Sequence, residues 1–591
     1  MGGSKPWPQV SVGNKDHTNA AVVIIGAGIS GMCMAIDLIR RNKCHNFIIL
    51  EKSSAVGGTW HDNKYPGCCC DVSSHLYSYS FEQNPDWSRV YPGQEEILDY
   101  LIQVAQKYKL YKYIRFNTSV EQARWDDSEL KWKTDVKVSG DKDSEFSNAY
   151  TIISDFLISA VGQLNQPAYP DIPGLGEFGG KIMHSARWDW SYDLEGKRIA
   201  VIGNGATAAQ LLPELTRAAA SITLFQRTPN WVMPRLDAPI PSLLRTAFRY
   251  LPPLLWRTRA LQMDMREDFY AVTDSDSNIS NQIRGWCSDA MRAAFPNQPK
   301  VWKKLTPEYA PGCKRVIISD EYYPALASPN CHLETRPIAR ITKTRIEVGG
   351  TAPPPPSPGT SSGTEELDLI VLATGFRTTE FLSPITITGA HGRALSQIWE
   401  ESGGATALYG TTIPQLPNFG VFYGPNTNLG HNSIVLMIEA QSRYLAALVA
   451  TVLDARGAGR PLALVPREER VREFNAEIQE RLGRSSFADE RCRSWYKNSE
   501  GRITNNWSGT VVEYQEVLSK VDWGDFEQVG EETGKSGSGV TLGGKKETRL
   551  GRVREETVVG NTALVVGGAV AAAAVVGGVV WGRRRGGRRW W

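Results

Sequence analysis

The sequence predicts an α/β protein with two Rossmann-like dinucleotide-binding domains, a helical insertion and a single C-terminal transmembrane helix. Three observations support this fold class. Residues 21–31, AVVIIGAGISG, combine a buried-strand pattern with a glycine turn and lead directly into a helix-like segment. The same succession of strand, glycine turn and helix returns at residues 198–217. Near the end, residues 563–581 form a run of 19 residues without a charged side chain.

Length and composition exclude several classes of protein. With 591 residues the chain is longer than one compact core usually allows, so two or more domains are expected. Hydrophobic residues make up 41% and charged residues 22%, which is typical of a globular protein rather than a disordered or polytopic one. The net charge of +3 falls to −2 once the five arginines of the C-terminal tail are set aside. This near-neutral body argues against a nucleic-acid partner.

The cysteine pattern bears on the compartment. Nine cysteines without regular spacing, and an N-terminus that lacks the charged-then-apolar pattern of a secretory signal, predict a reducing, cytosol-facing environment. No Cys-x-x-Cys pair and no His-Glu-x-x-His motif occurs, so no metal site is predicted.

The first glycine fingerprint places Gly26, Gly28 and Gly31 at the spacing G-x-G-x-x-G. In a Rossmann turn the first glycine allows the tight bend, the second lets the backbone approach a pyrophosphate, and the third permits close packing of the helix. Glu51 ends the next strand-like run, FIILE, where a carboxylate can accept hydrogen bonds from ribose hydroxyls. This part of the chain is therefore predicted to bind a dinucleotide.

The second fingerprint consists of Gly203, Gly205 and Ala208, and its next strand ends in Gln226 and Arg227 instead of an acid. A carboxylate would repel a 2′-phosphate, whereas an arginine holds it through charge-assisted hydrogen bonds. The second site is therefore predicted to prefer NADP(H) over NAD(H). A solvated surface arginine is the alternative interpretation of Arg227.

A ribose-binding cofactor site followed by an NADP(H) site indicates a flavoprotein in which hydride passes from NADPH to FAD. Such proteins are either disulfide reductases, which need two cysteines near the flavin, or oxygenases, which do not. Cys68, Cys69 and Cys70 are consecutive, and adjacent cysteines rarely reach unstrained disulfide geometry. The oxygenase class is therefore favoured.

Composition shifts then divide the chain into nine segments. A stretch rich in Arg, Leu and Trp with helical periodicity follows the second fingerprint, and a Gly/Lys/Glu-rich stretch precedes the uncharged run. The predicted order is an N-terminal tail (1–20), an FAD-binding domain (21–170 and 376–526), an NADP-binding domain (171–232 and 311–375) enclosing the helical insertion (233–310), a flexible linker (527–561), a transmembrane helix (562–582) and a basic tail (583–591).

Residues 178–188, FGGKIMHSARW, resemble the F-x-G-x-x-x-H-x-x-x-W fingerprint of the type I Baeyer–Villiger monooxygenases, with Phe178, Gly180, His184 and Trp188 at its fixed positions. Further matches are GGTW (57–60), YPGCCCD (65–71), FQRTPNW (225–231), CKR (313–315), DLIVLATGF (368–376), GPNTNLGHNS (424–433) and SWY (494–496). The resemblance covers about residues 21–526. It departs at Cys68 and Cys69, where many relatives have Ala and Arg.

The resemblance implies that Arg315 is the catalytic arginine beside the flavin and that Asp71 pairs with it. A permanently charged guanidinium suits a reaction that builds a peroxide anion at flavin position 4a and then a tetrahedral alkoxide. Without the resemblance, Asp71 also fits a turn-capping role after the preceding Pro-Gly.

Other residue roles follow from the resemblance in the same way. It implies that Lys314 and Arg227 share the 2′-phosphate with Thr228, and that Trp495 hydrogen-bonds the nicotinamide ribose. His184 is implied to lie near an interdomain hinge, and a structural histidine is an equally open interpretation. The remaining cofactor-binding candidates are Gly58, Thr59, Trp60 and Tyr77, together with Gly424, Pro425 and Asn426, whose backbone is expected near the flavin ring.

The implied activity is that of an FAD- and NADPH-dependent monooxygenase that inserts one oxygen atom from O₂ next to a ketone carbonyl, giving an ester or lactone. The expected substrate is a secondary-metabolite ketone, such as a polyketide or terpenoid intermediate. Two alternatives stay open. One is epoxidation, hydroxylation or S/N-oxidation by a flavin hydroperoxide, and the other is a catalytically inactive, membrane-anchored Rossmann scaffold.

The uncharged run at 563–581 would span about 28 Å as a helix, close to the ~30 Å thickness of the hydrocarbon layer. Six alanines and four glycines dilute its hydrophobicity, while Trp581 and the arginines after it suit interfacial anchoring. A disordered Gly/Ala tail is the alternative. The positive-inside rule would keep the arginines in the cytosol, yet NADPH supply and reduced cysteines favour a cytosolic catalytic domain. We expect a single-pass anchor with that orientation, because so short a tail can cross after synthesis.

Overall fold

The N-terminal fingerprint forms a βαβ unit in the computed structural model. Strand β1 (Asn19–Ile25) enters helix α1 (Ile29–Arg40) through the glycine turn, and β2 (Phe47–Leu50) returns parallel to β1. All four residues of β2 are buried, as expected of a strand covered on both faces. The structure describes residues 18–139, 148–349, 365–530 and 546–551.

Before the chain passes to the second domain, it adds helices and an antiparallel extension of the sheet. These elements are α2 (Thr59–Asp62), α3 (Gln94–Lys107), β3 (Ile114–Arg115), β4 (Thr118–Asp126), β5 (Lys131–Val138) and β6 (Ala149–Ser159).

The second domain repeats the strand, turn and helix order around a set of inserted helices. Its first part holds β7 (Lys181–His184), β8 (Arg198–Ile202), α4 (Ala206–Ala218), β9 (Ser221–Phe225) and β10 (Val232–Met233). The inserted helices are α5 (Ser242–Tyr250), α6 (Pro252–Asp268), α7 (Asn278–Ala294) and α8 (Pro299–Leu305). The domain then resumes with β11 (Ile317–Ile318), α9 (Tyr322–Leu326), β12 (Cys331–Glu334), β13 (Ile338–Ile341), β14 (Ile346–Val348) and β15 (Leu369–Leu372).

The chain finally returns to the first domain. The returning elements are β16 (Thr386–Thr388), α10 (Leu395–Glu401), β17 (Phe419–Val421), α11 (Ile434–Gly457), β18 (Leu462–Pro466), α12 (Glu468–Gly483), α13 (Val511–Val517), β19 (Lys520–Asp522), β20 (Phe526–Gly530) and β21 (Glu547–Arg549).

Two sheets carry the architecture. The first is mixed and eight-stranded, in the order β16-β4-β5-β6-β1-β2-β3, with β17 parallel to the C-terminal end of β6. The second is a five-stranded parallel sheet in the order β12-β9-β8-β15-β7. The fold is therefore α/β with two dinucleotide-binding domains. In each sheet the strand that leads into the fingerprint is flanked on both sides by parallel strands.

Two adjacent segments of chain connect the domains. The outgoing segment pairs with the returning one through Pro167 and Phe376, and Ala168 N–H donates to the Gly375 carbonyl at 2.9 Å. Arg377 N–H donates in turn to the Gln166 carbonyl at 2.9 Å. The two domain crossings therefore run antiparallel, side by side.

Helix α11 fills the core of the first domain. Among the described residues it is the one helix whose length and hydropathy would allow it to cross a membrane. Most of it is buried, and it packs against α1. It is therefore a core helix of this domain. The predicted transmembrane segment at 562–582 lies outside the described residues, as do most of the N-terminal tail (1–20) and all of the basic tail (583–591).

The structure differs from the expected flexible linker at 527–561. Most of β20 falls within it and pairs antiparallel with β18, while β21 pairs with β19. Trp523 Nε1 donates to Thr548 Oγ1 at 3.0 Å. These strands were missed because a sheet ladder is made by backbone groups, which a composition poor in apolar residues does not remove.

Candidate active site

The carboxyl ends of both sheets open into one cavity of about 1470 Å³. This is where doubly wound sheets bind their ligands. Most of the residues singled out from the sequence line it, namely Gly26, Gly28, Glu51, Gly58, Thr59, Trp60, Asp71, Tyr77, Gly203, Gly205, Arg227, Thr228, Lys314, Arg315 and Trp495.

The glycines of the first domain form a cradle of bare backbone. Gly26 has φ +108°, and a Cβ there would lie 2.7 Å from the Ala160 carbonyl oxygen. Gly28 is the N-cap of α1, and a Cβ added to Gly58 would lie 3.0 Å from the Cα of Gly28. A helix N-terminus with free backbone approach suits a pyrophosphate. The residues present therefore fit the predicted FAD.

Glu51 stands at the end of β2, where it is 4% exposed. Its carboxylate accepts hydrogen bonds from Ala27 N–H at 2.7 Å and Ser53 N–H at 2.8 Å. Burial raises the pKa of Glu51 above its usual value. The acid is thus fixed at the cavity edge, in the position suited to ribose hydroxyls.

The second fingerprint repeats this geometry. Gly203 has the same φ of +108°, and a Cβ there would lie 2.4 Å from the Ala373 carbonyl oxygen. Gly205 is the N-cap of α4, and Ala208 is fully buried. Like Gly31 of the first fingerprint, Ala208 serves helix packing and does not reach the cavity.

Two cations line the second half of the cavity. Arg227 is exposed and follows β9, next to Thr228. Lys314 is half-buried, with its ammonium 5.0 Å from the centre of the Tyr309 ring. Burial, and then the charge of Arg227, lower the pKa of Lys314 to about 8. The pair forms a clamp for a dianion, which fits the 2′-phosphate of NADPH.

Arg315 and Asp71 form a fork-to-fork ion pair in the wall of the cavity. Arg315 donates to Asp71 Oδ1 through Nη2 at 2.8 Å and to Oδ2 through Nε. About a quarter of each side chain stays accessible from the cavity. Burial favours the neutral acid, but Arg315 outweighs it and holds the pKa of Asp71 below its usual value. Asp71 in turn raises the pKa of Arg315 against the effect of burial.

Contacts from elsewhere in the chain fix this pair. Arg315 Nη1 donates to the Leu429 carbonyl at 3.0 Å. Arg266 of α6 donates through Nη2 to the Asp71 carbonyl at 3.1 Å and to the Tyr91 hydroxyl at 3.3 Å. The sequence did not single out Arg266, because an arginine in a helix gives no signal of a partner 195 residues away.

The Baeyer–Villiger fingerprint lies beside the domain crossings, outside the cavity. Phe178 is buried under β13, and a Cβ on Gly180 would lie 2.6 Å from the Asp368 carbonyl oxygen. Trp188 packs on the core beneath α4. These residues set the edge of the second sheet.

His184 ends β7 and is 2% exposed. Its Nδ1 accepts Ala186 N–H at 3.1 Å, so Nε2 carries the proton toward Thr374 Oγ1 at 3.3 Å. The Thr374 hydroxyl donates to the Ala168 carbonyl at 2.6 Å. Burial and Arg187 lower the pKa of His184, which favours the neutral ring. His184 therefore links the second sheet to both crossing segments.

Three candidates lie behind the cavity wall. Gly424, Pro425 and Asn426 do not line it, and Asn426 Nδ2 donates to the carbonyls of Ile503 and Asn506, both at 2.9 Å. The contacts expected of this loop fall to its neighbours Tyr423, Asn428 and Leu429, which do face the cavity. A motif match locates a loop, whereas the fold decides which of its residues face inward.

Cys313 and Cys492 are joined by a disulfide bond. The expectation of reduced cysteines is therefore not met at this pair, because only the fold brings together residues 179 positions apart. Both are buried in an apolar cluster with Trp231 and Ile283, and neither lines the cavity. Cys68, Cys69 and Cys70 are free thiols. This arrangement is not that of a disulfide reductase.

Comparison with known proteins agrees with the cavity geometry. The model of the flavin-binding monooxygenase-like family matches residues 19–252. The FAD-binding monooxygenase ktnD of Aspergillus niger is 52% identical over 94% of this chain and 88% of its own. A Baeyer–Villiger monooxygenase of Streptomyces coelicolor is 39% identical over 90% of this chain and 98% of its own.

Solved structures of proteins with bound cofactors are also similar to this chain. A steroid monooxygenase bound to NADP is 29% identical, covers 90% of this chain and all of its own, and superposes with a TM-score of 0.71. The enzyme OTEMO in complex with FAD and NADP is 25% identical, covers 86% of this chain and 99% of its own, and also gives 0.71. With the Asp71–Arg315 pair and two nucleotide cradles in one cavity, these relatives show that the chain belongs to the type I Baeyer–Villiger monooxygenases, which use FAD and NADPH.

Proposed function

We propose that this FAD- and NADPH-dependent Baeyer–Villiger monooxygenase acts on a secondary-metabolite ketone, such as a polyketide or terpenoid intermediate, from a membrane anchor. Apolar side chains line the cavity with Arg315, among them Val72, Leu429, Ile434 and Ile438. Such a wall suits a large hydrocarbon skeleton with few polar groups. The similarity to a steroid monooxygenase supports the same substrate class.

The observation that carries the reaction type is the Asp71–Arg315 pair facing the cavity. Oxygen insertion beside a carbonyl develops negative charge on the attacking oxygen and then on the carbonyl oxygen. Arg315 stays protonated at every working pH and presents a planar set of donors to that charge. Asp71 acts as the positioning residue, because its bidentate contact fixes the guanidinium plane.

The glycine cradles and their partners support a separate place for each cofactor. Gly28, Gly58 and Glu51 would hold the pyrophosphate and ribose of FAD, while Arg227 and Lys314 would hold the 2′-phosphate of NADPH. When bound, FAD accepts a hydride from NADPH and activates O₂ for transfer of one oxygen atom.

Substitution Arg315→Ala tests the reaction type. We expect flavin reduction by NADPH, followed as loss of flavin absorbance without O₂, to stay close to wild type. Ester formation, measured by mass spectrometry, should be abolished. Arg315→Lys keeps a charge but loses the fork, and should restore only part of the activity. Full oxygenating turnover by Arg315→Ala would contradict the assignment.

A substrate panel tests the substrate class. We expect polycyclic ketones to give esters or lactones with tightly coupled NADPH use, and a thioether and an alkene to react more slowly. Preferred oxidation of the thioether or the alkene would instead assign the enzyme to the hydroperoxide-dependent alternative.

The anchor is proposed for residues 562–582, with the catalytic domains on the cytosolic side, where NADPH is supplied. It is supported by the 19-residue uncharged run and by the arginines that follow Trp581. Cells that express the full chain and a version ending at Gly560 provide the test. The full chain should resist extraction by alkaline carbonate and the shorter one should not; equal release of both would remove the anchor.

A further inference from the structure

The last turn of α6 joins the helical insertion to two segments of the first domain. Glu267 lies in this turn, and its side chain is 14% exposed. Asn432 Nδ2 donates to Glu267 Oε1 at 2.6 Å. The backbone N–H groups of Val511 and Val512 donate to Oε1 at 3.3 Å and to Oε2 at 3.2 Å. Three donors from the first domain thus meet on one carboxylate of the insertion.

A buried histidine lies beside the same carboxylate. His431 Nε2 is 3.4 Å from Glu267 Oε1, and the His431 ring packs edge-on against Tyr270 with the ring centres 5.2 Å apart. The Tyr270 hydroxyl donates to the Ser508 carbonyl at 2.7 Å. Burial raises the pKa of Glu267, but the contacts with His431 and Asn432 outweigh it and hold that pKa below its usual value. Glu267 is therefore ionised at neutral pH, and an ionised acceptor makes stronger hydrogen bonds than a neutral one.

Asn432 lines the cavity, but its amide group is engaged within the protein. Besides Glu267, its Nδ2 contacts Met263 Sδ of α6 at 3.3 Å. Its Oδ1 accepts the Ser433 N–H at 2.7 Å. Asn432 is therefore a link between the cavity wall and α6. No residue of the insertion (233–310), which the structure describes throughout, lines the cavity, so the insertion acts on the site through links of this kind.

The loop that carries Asn432, residues 429–433, also holds the guanidinium of Arg315. Leu429 begins this loop, and its carbonyl accepts a hydrogen bond from Arg315 Nη1 at 3.0 Å. On the other side of the guanidinium, Asp71 accepts both hydrogen bonds of the fork. Arg266, in the same turn of α6 as Glu267, donates to the backbone carbonyl of Asp71. The last turn of α6 thus contacts both segments that hold Arg315.

We propose that Glu267 is a positioning residue for oxygen insertion, because it fixes the 429–433 loop whose Leu429 carbonyl orients Arg315. A hydrogen-bond donor stabilises a developing oxyanion only when it is already aimed at that oxygen. A loop released from Glu267 would let the guanidinium plane turn, although Arg315 would keep its charge. The inference rests on the role proposed above for Arg315. It gives the helical insertion a part in the reaction that does not require contact with the substrate.

Substitution Glu267→Ala in the full-length, FAD-loaded enzyme tests the proposal with two readouts. Hydrogen–deuterium exchange with mass spectrometry should become faster in peptides covering residues 428–434. Ester formation from the ketone of the substrate panel that wild type converts fastest should slow about tenfold, and more of the NADPH consumed should end as hydrogen peroxide. Flavin reduction by NADPH without O₂, and the KM for NADPH, should stay close to wild type. A merely structural loss would lower all of these rates together.

Further variants separate reach from charge. Glu267→Gln keeps the length and one acceptor oxygen and should restore part of the rate, whereas Glu267→Asp keeps the charge but is one methylene too short and should not. Asp264→Ala removes an exposed acid from the same helix and should match wild type. Asn432→Ala removes the donor on the loop and should slow ester formation as Glu267→Ala does, with no further loss in the double variant. If Glu267→Ala does not retain flavin, Glu267→Gln and Asn432→Ala decide.

Four outcomes would overturn the proposal. They are ester formation by Glu267→Ala within about twofold of wild type, equal slowing of flavin reduction and ester formation, unchanged exchange at 428–434, and additive losses in the double variant. Ester formation by Arg315→Ala would instead refute the proposed function. In that case the exchange at 428–434 would still show whether Glu267 holds the loop.

Discussion

Raising the pH from 7 to 9 should weaken NADPH binding about tenfold. Burial and Arg227 lower the pKa of Lys314 to about 8, so its ammonium loses its proton within this range. The protonated fraction falls from about 0.9 at pH 7 to about 0.1 at pH 9. The 2′-phosphate stays dianionic throughout, because its second pKa is about 6. NADPH binding that requires the charge is thus strongest well below pH 8 and weakens progressively as the pH rises through 8, and a tenfold change corresponds to about 1.4 kcal/mol.

The assay is the rate of flavin reduction against NADPH concentration in the absence of O₂, which gives an apparent Kd at each pH. NADH lacks the phosphate and serves as the control, so its apparent Kd should not follow the same curve. Lys314→Arg stays protonated across the range and should flatten the NADPH profile. A flat wild-type profile, or an equal rise for NADH, would refute the clamp.

Three further predictions concern the pair, the turns and the crossings. Asp71→Asn removes the charge that positions Arg315. It should slow ester formation roughly 10- to 100-fold, which corresponds to an activation free energy higher by about 1.5–3 kcal/mol, while flavin reduction is retained. Equal loss of both rates would contradict a positioning role. In each fingerprint turn an added methyl group would meet a carbonyl oxygen. Gly26→Ala should therefore lose bound FAD, whereas Gly203→Ala should keep FAD but lose its reduction by NADPH. The flavin absorbance per protein measures the first effect and the rate of flavin reduction measures the second. Thr374→Val deletes the hydroxyl between His184 and Ala168 and should lower the free energy of unfolding by about 1–2 kcal/mol in urea, while Thr374→Ser should not.

The sequence predicted best what local chemistry determines. Gly26 and Gly203 occupy the same positive φ because both turns must pass from a strand into a helix within three residues. Arg227 could be placed at the cavity because it closely follows the strand β9, whose carboxyl end opens there. Such inferences need only the chain within a few residues of the site.

The sequence could not predict contacts that depend on how distant segments pack. Arg266 reaches Asp71 from an inserted helix. Cys313, where the second domain resumes, is bonded to Cys492 in the part of the chain that has returned to the first domain. Asn426 shares a motif with residues that face the cavity, yet its amide is occupied by two backbone carbonyls. In each case the decisive partner is chosen by tertiary packing, and no spacing rule in one sequence encodes it.

The paired crossings make the second domain an insert in the chain of the first. All eight strands of the first sheet come from residues before 160 or after 385, so that sheet is complete without the intervening residues. The insert leaves and re-enters at one point, where Ala168 and Gly375 are hydrogen-bonded neighbours. Replacing residues 169–374 by a short loop would therefore leave the ends of the first domain already in register. The first sheet and its strand order therefore do not depend on the second domain, whereas the Asp71–Arg315 pair needs both.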